Sequence, residues 1–319
     1  MPDPVRCAVI GAGHIGRFHA EKYARHPSAR LVAVVDPSPE RAAAVALQHG
    51  AEARPDLGDL IGRVDAVSIC APTPFHFAIA RDCIAAGIHV LVEKPIAVTL
   101  AEADEMVARA AAARVVLQVG HLERFSMAGL GFAAVLDDPA FVDARRLTPF
   151  RGRGADVSVV LDLMIHDIDL VTAIMRHPVV AASGVGRRVV SDTEDVAAAQ
   201  LRFANGAAAT LVASRVSPQA ERSLRVLQAS GEIAIDLQAR RLSATRASVP
   251  GDAPTVIEQA QPDADPLGAQ IDSFLACIAG GGRPLVDGAA GRDALATALA
   301  VIRSIRTDGA AVPIEKSHA

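Results

Sequence analysis

The stretch Val5-Arg6-Cys7-Ala8-Val9-Ile10-Gly11-Ala12-Gly13-His14-Ile15-Gly16 decides the fold. Its first six residues are a short, mostly apolar run suited to a buried parallel strand. Gly11, Gly13 and Gly16 have the spacing G-x-G-x-x-G, and residues 14–26 then read as a helix stopped by Pro27. A second apolar run, 31–35, ends at Asp36, twenty residues beyond Gly16. In that context each glycine has its own job: a tight turn, close approach of backbone to a pyrophosphate, and close helix–strand packing. A diphosphate at the helix N-terminus meets free N–H groups and the positive end of the helix dipole. The bland alternative is a strand–helix turn that binds nothing. The pattern predicts a dinucleotide site on Gly11, Gly13 and Gly16, with Asp36 at the ribose. A carboxylate there accepts hydrogen bonds from a free 2′-hydroxyl and repels a 2′-phosphate, so the cofactor is expected to be NAD(H). Ser38 and Arg41, close behind, soften that preference. The competing role for Asp36 is a cap before Pro37.

Strand and helix signals go on alternating outward from this motif. Pro39–His49 reads as a helix ending at Gly50, and a weak strand lies near 51–54. A strand at 66–71 leads to a helix at 75–86, closed by Gly87. A strand at 89–92 runs into Glu93-Lys94-Pro95. Thr99, with Glu102 three residues later, is the N-cap expected for the next helix, and 115–119 is the last strand of this half. Such alternation implies a parallel sheet covered on both faces. After Gly120 the pattern changes. Residues 157–175 have helical spacing. Asn205-Gly206 and Ser230-Gly231, each between apolar runs, signal two hairpins. Residues 250–266, rich in Pro, Asp and Gln, read as a surface loop, and helices at 270–279 and 292–306 close the chain around a loop at 280–288. The expected class is α/β: a doubly wound parallel (Rossmann) sheet over 1–120, then an α+β domain with a largely antiparallel open sheet over 121–319.

Composition removes several classes of function. A chain of 319 residues favours two domains, and 51% hydrophobic residues suffice for a large core. A net charge of -4 argues against nucleic-acid binding through bulk positive charge. With aromatics at 3% and no Trp, a base-stacking platform is not expected. The N-terminus has no charged region leading into a long apolar stretch, and no apolar run of about 18 residues occurs, so no membrane association is expected. Cys7, Cys70, Cys83 and Cys277 show no C-x-x-C spacing and read as reduced thiols of a cytoplasmic protein.

Two polar anomalies carry the chemistry. Among 32 basic residues only Lys22, Lys94 and Lys316 are lysine. Lysine can give up its proton when its pKa falls, whereas arginine in effect cannot. Lys94 follows a predicted strand end, where open α/β sheets bind ligands; otherwise it is a solvated cation. The second anomaly is Leu161-Asp162-Leu163-Met164-Ile165-His166-Asp167-Ile168-Asp169, in which Asp162, His166 and Asp169 are expected on one helix face. A carboxylate one turn from a histidine orients it and raises its basicity. A divalent metal site and a structural helix salt bridge are the alternatives.

These residues together resemble the Gfo/Idh/MocA family of oxidoreductases (glucose–fructose oxidoreductase, inositol dehydrogenase and rhizopine-catabolism relatives). The resemblance rests on GAGHIGRFHA at 11–20, APTPFH at 71–76, EKP at 93–95 and Asp162-x-x-x-His166, with a looser match at 195–206. It departs where Val159-Val160 replaces the glycine pair common before the family's aspartate. The resemblance implies an NAD-dependent dehydrogenase acting on a sugar or cyclitol hydroxyl. Lys94, Asp162 and His166 would be its catalytic and substrate-binding groups, meeting in the interdomain cleft. Cofactor contacts would come from Gly11, Gly13, His14, Ile15, Gly16, Asp36, Thr73, His76, Glu93 and Lys94. It further implies a Lys94–Pro95 bond that is often cis, and a homodimer or homotetramer paired through the open sheet. HLERF at 121–125 and the segment 151–171 resemble one branch, the UDP-N-acetylglucosamine 3-dehydrogenases. A diphosphate-bearing substrate needs cations; Arg124 and Arg153 are the expected ones, with Arg145, Arg146 and Arg151 also near. A free-sugar or inositol dehydrogenase is the second reading, and a cofactor-binding regulator without turnover the third.

Overall fold

The computed structural model describes residues 3–150, 152, 154–247 and 253–316. It divides into two units, one of Met1–Leu122, Leu267–Arg292 and Ser317–Ala319, the other of Glu123–Pro266 and Asp293–Lys316.

In the first unit β1 (Val5–Ile10), β2 (Ala29–Val35), β3 (Glu52–Arg54), β4 (Ala66–Ile69), β5 (His89–Val92) and β6 (Leu117–Val119) form one sheet. Their order is β3-β2-β1-β4-β5-β6, all parallel. Helices α1 (His14–Arg25), α2 (Pro39–His49), α3 (His76–Ala85) and α4 (Leu100–Ala113) make the connections. Strands covered on both faces need no polar side, and β4 is buried at every residue. Strand order reverses between β1 and β4, and that switch point opens a crevice at the carboxyl ends of the strands. Local chemistry sets the helix starts. Thr99 and Glu102 form the expected capping box on α4, and Ser38 caps α2 with Pro39 at its first position.

The second unit holds α5 (Glu123–Gly129), β7 (Pro139–Leu147), α6 (Ile165–Met175), β8 (Val179–Arg187), β9 (Val196–Phe203) and β10 (Ala208–Ser214). Then come β11 (Glu221–Gln228), β12 (Gly231–Asp236), β13 (Arg241–Arg246) and β14 (Thr255–Ala260). The chain continues through α7 (Pro266–Gly280), which from Leu267 on belongs to the first unit, and α8 (Gly288–Arg306) to β15 (Val312–Pro313). The nine strands run in the order β14-β13-β12-β11-β7-β10-β9-β8-β15. Every pairing is antiparallel except β7 with β10. Asn205-Gly206 lies in the turn of the expected hairpin β9–β10. The expected hairpin β11–β12 turns at Ala229-Ser230, one residue ahead of the expected pair, because Gly231 already pairs with Gln228 as the first residue of β12. Alternate strand residues, among them Val142, Ala144, Leu224, Val226, Ile233 and Ile235, join α6 and α8 in one core.

Three expectations are corrected. Residues 121–319 do not form one continuous domain, because Leu267–Arg292 belongs to the first unit. There Ile271, Phe274 and Leu275 of α7 share a core with Val9, Tyr23 and Leu91. Residues 255–260 are not loop but the edge strand β14, paired only with β13. Ile257 packs against the core while Val256 is exposed, so an edge strand with polar neighbours hid its alternation. The helix expected over 157–175 starts later, and Val160–Met164 forms a π-helical turn ahead of α6.

Candidate active site

The crevice of the first unit is a cavity of about 760 Å³ whose lining includes Gly11, Gly13, His14, Ile15, Asp36, Arg41, Ala71 and Phe75. Gly11 has φ +101°, and a side chain there would meet the backbone of Cys70 and Ala71 at 2.7 Å. A methyl on Gly16 would lie 1.8 Å from the Gly11 carbonyl oxygen, so α1 packs on the turn with no room to spare. Gly13 is different: its φ is -74° and a Cβ would meet nothing within 4 Å. No protein contact requires glycine at that position, so the empty space fits a ligand lying on the backbone. The first turn of α1 has no side-chain cap and no acidic residue, leaving its N–H groups suited to a diphosphate.

Asp36 closes the far end of the cavity. Its side chain accepts the Ala12 N–H at 2.9 Å on Oδ2 and the Ser38 N–H at 2.9 Å on Oδ1. Arg41 donates to Oδ1 from Nη2 at 2.8 Å and from Nε at 3.2 Å. Burial pushes the carboxyl up, but the Arg41 hydrogen bond and the two backbone N–H groups outweigh it and hold the pKa below the usual value. Gly13, the uncapped α1 turn and Asp36 therefore fit a dinucleotide. Thr73 is half-buried and starts a short turn just beyond the cavity-lining Ala71 and Pro72.

Past β5, Glu93-Lys94-Pro95 forms a turn with a cis Lys94–Pro95 bond. Two of the residues expected at the cofactor, His76 and Glu93, also brace the protein around this turn. His76 is buried, with Nδ1 2.9 Å from the Pro95 carbonyl and Nε2 2.8 Å from the Ala71 carbonyl. It braces the lysine turn against the cavity wall. Burial lowers its pKa, and a neutral ring donates to one of the two carbonyls at a time. Glu93 Oε1 lies 3.3 Å from Nε2 of the buried His19. His19 Nδ1 meets Ser68 Oγ at 3.0 Å, and Ser68 Oγ meets the Tyr23 hydroxyl at 2.8 Å. A side chain on Gly120 would reach 2.5 Å from Glu93 Oε1, so that glycine makes room for the carboxylate. Burial raises the Glu93 pKa, but His19 beside it and the charge of Lys94 outweigh that and hold it below the usual range. His19, Ser68, Tyr23 and Gly120 went unnoticed as support for Lys94; His19 and Tyr23 at i and i+4 on one helix face were the available signal.

In the second unit the π-helical turn carries Asp162, and the Ile165 N–H reaches back to the Val160 carbonyl. Asp162 therefore precedes α6 on a wider turn than the regular helix expected there, with His166 and Asp169 in α6 itself. Val159 and Val160, which replace the glycine pair, are fully buried. The Asp162 carboxylate lies against Gly154, where a Cβ would approach Oδ2 to 2.4 Å. Asp169 is buried and accepts two hydrogen bonds from Arg124, at 2.8 and 3.0 Å. Asp167, not singled out by spacing, is buried against Arg146, which donates to it at 2.8 and 3.0 Å and to Glu123 at 2.9 Å. Burial opposes the Arg146 charge, but Asp167 and Glu123 outweigh it and push its pKa up. Arg124 and Arg146 are thus neutralised within the fold rather than held out as anion-binding cations. Arg145 is exposed and pairs with Asp143 at 3.3 Å. Arg151 and Arg153 lie outside the described residues. Among the described residues no cluster of three or more His, Cys, Asp or Glu is arranged to hold a metal ion.

Residues 5–121 match the family model described as "Oxidoreductase family, NAD-binding Rossmann fold", and residues 131–234 match the "GFO/IDH/MocA C-terminal domain". The chain is 38% identical over 308 residues to UDP-N-acetylglucosamine 3-dehydrogenase from Acidithiobacillus ferrooxidans, covering 93% of this chain and 96% of that one. A solved structure of that enzyme superposes with a TM-score of 0.89 at 37% identity, covering 96% of this chain and 99% of that one. The scyllo-inositol 2-dehydrogenase (NAD(+)) of Bacillus subtilis is 30% identical over 249 residues, 68% of this chain and 69% of that one.

Proposed function

The chain belongs to the Gfo/Idh/MocA family of NAD-dependent oxidoreductases, and from that premise we propose that it oxidises the 3-hydroxyl of UDP-N-acetylglucosamine. The family assignment makes it an NAD-dependent sugar dehydrogenase; the nucleotide-sugar substrate rests on the 38% identity, across 93% of the chain, to an enzyme of that name. When bound, the nicotinamide supplies the hydride-acceptor chemistry. The observation that carries the catalytic reading is the His76 brace. His76 lies between the carbonyls of Pro95, the chain neighbour of Lys94, and of Ala71, which lines the crevice, and this supports a role for Lys94 at the dinucleotide.

Oxidation of an alcohol needs its proton removed as the carbon is oxidised, and a general base contributes about 10²–10⁴-fold. Lys94 can take that proton when neutral, or steady the developing alkoxide when charged. His166 is the second candidate base, with Asp162 in the preceding turn to orient it or to hold a substrate hydroxyl. The anchoring of the substrate diphosphate falls to Arg153. The enzyme works as a homodimer or homotetramer in the cytoplasm, pairing through the sheet face opposite α6 and α8.

The test is NADH formation by the purified protein supplied with NAD and either UDP-N-acetylglucosamine, myo-inositol or free N-acetylglucosamine. Turnover with the nucleotide sugar, competitive inhibition by UDP, and weakening of UDP by salt are expected. Turnover of inositol or the free sugar with no effect of UDP would replace the nucleotide-sugar assignment.

A further inference from the structure

We propose that Arg41 is a specificity-determining residue for the dinucleotide: it neutralises Asp36 and offers a cation through which a 2′-phosphorylated nicotinamide dinucleotide also binds. The carboxylate is only 4% exposed and is pinned by the Ala12 and Ser38 N–H groups, so it is a fixed charge. Its partner is not fixed. The Arg41 side chain is 60% exposed, sits in the first turn of α2, and lines the same cavity. Alone, Asp36 would repel a 2′-phosphate; paired with Arg41, the local charge is near zero.

The geometry leaves donors to spare. Arg41 spends Nε and Nη2 on Asp36 Oδ1, and a guanidinium has five N–H bonds in one plane. Nη1 and the second hydrogen of Nη2 can therefore meet phosphate oxygens without breaking the ion pair. Ser38 Oγ accepts the Arg41 N–H at 3.3 Å and keeps its own hydrogen for donation. The N-terminus of α2 adds a favourable dipole. Glu40 in that first turn and Asp56 on the cavity wall oppose the phosphate, but Arg41 is the charged side chain already held at the Asp36 carboxylate. A free 2′-hydroxyl, by contrast, needs only an open acceptor position on Asp36 Oδ2, which takes a single N–H from the protein.

The inference rests on a dinucleotide occupying this crevice, and NADH binding by the unaltered protein reports that separately. Dissociation constants for NADH and NADPH are measured by titration calorimetry on the wild type and on Arg41→Ala, with the melting temperature of the variant as the check that it folds. The wild type should bind both forms. In Arg41→Ala the ratio of the NADPH to the NADH constant should rise by about tenfold or more, with NADH binding kept or tightened. The wild-type NADPH constant should also climb more steeply with salt than that of NADH. An unchanged or reduced ratio in Arg41→Ala, or a wild type that binds NADH and excludes NADPH, overturns the inference. Failure to bind NADH at all would instead overturn the crevice assignment.

Discussion

Asp195→Asn should weaken the second unit and disturb the turn that carries Asp162 together. Asp195 is fully buried just ahead of β9. It accepts the N–H groups of Val189, Val190 and Ser191 at 2.7, 2.8 and 3.0 Å and the Ser191 hydroxyl at 2.7 Å. Its other neighbour is Arg215, itself 2% exposed, with Nε at 3.5 Å. Arg215 donates to the carbonyls of Gly154, Val157 and Glu194, and Gly154 is the residue against which Asp162 rests. Burial raises the Asp195 pKa, but the three backbone N–H groups and the Ser191 hydroxyl outweigh it and lower it from 3.8 to about 2. A carboxylate whose folded pKa is depressed stabilises the fold above the unfolded value and loses that contribution as pH falls through the folded one. The interval from 3.8 to about 2 corresponds to about 2.5 kcal/mol at pH 7 and roughly half of that by pH 3. The variant also leaves Arg215 buried without its carboxylate, which adds to the loss. Urea unfolding of wild type and variant at pH 7, 5, 4 and 3 reads the difference. The gap should stay flat from pH 7 to 5 and narrow below about pH 4, where the wild type begins to lose the same charge. In the variant kcat/KM should fall while NADH affinity holds, because the loop beside Asp162 loses its clamp. A gap under about 1 kcal/mol at pH 7, or one that does not shrink in acid, would refute the reasoning.

Two further substitutions address the chemistry and the cradle. Lys94→Arg keeps the charge but in effect cannot deprotonate, so it should bind NADH normally and lose about 10²-fold or more in turnover, as should His166→Ala. Normal turnover in Lys94→Arg would leave His166 as the proton acceptor, and normal turnover in both would remove this pair from the mechanism. Gly13→Ala should unfold at the wild-type temperature yet lose NADH affinity, because its added carbon occupies only the space kept for a ligand. Gly16→Ala should lose stability as well, since its Cβ lands 1.8 Å from the Gly11 carbonyl oxygen. Equal melting temperatures for the two variants would contradict that distinction.

Much of the first unit follows from local sequence alone. The apolar runs of β1, β2, β4 and β5 and the Thr99–Glu102 capping box, like the hairpin signals near 205–206 and 230 in the second unit, each act over a few residues, and each declares itself in composition and spacing. The same holds for the glycine spacing before α1 and for Asp36 at the end of β2. Tertiary structure decided which charges were already taken. Arg124 and Arg146 look alike in sequence, available for an anion, until the fold sets them on Asp169 and Asp167 of α6, in contacts that span 45 and 21 residues. His76 and Glu93 sit in motifs suggesting cofactor contacts, yet one grips the carbonyls of Ala71 and Pro95 and the other turns toward His19. The π-helical turn at 160–164 likewise has no signal in the regular 3.6-residue spacing of the segment. Local backbone preference depends on neighbours in the chain and is legible there. Ion pairs, edge-strand pairing such as β14 on β13, and the return of α7 to the first unit depend on which distant groups share a dehydrated space, and that is settled only when the chain packs.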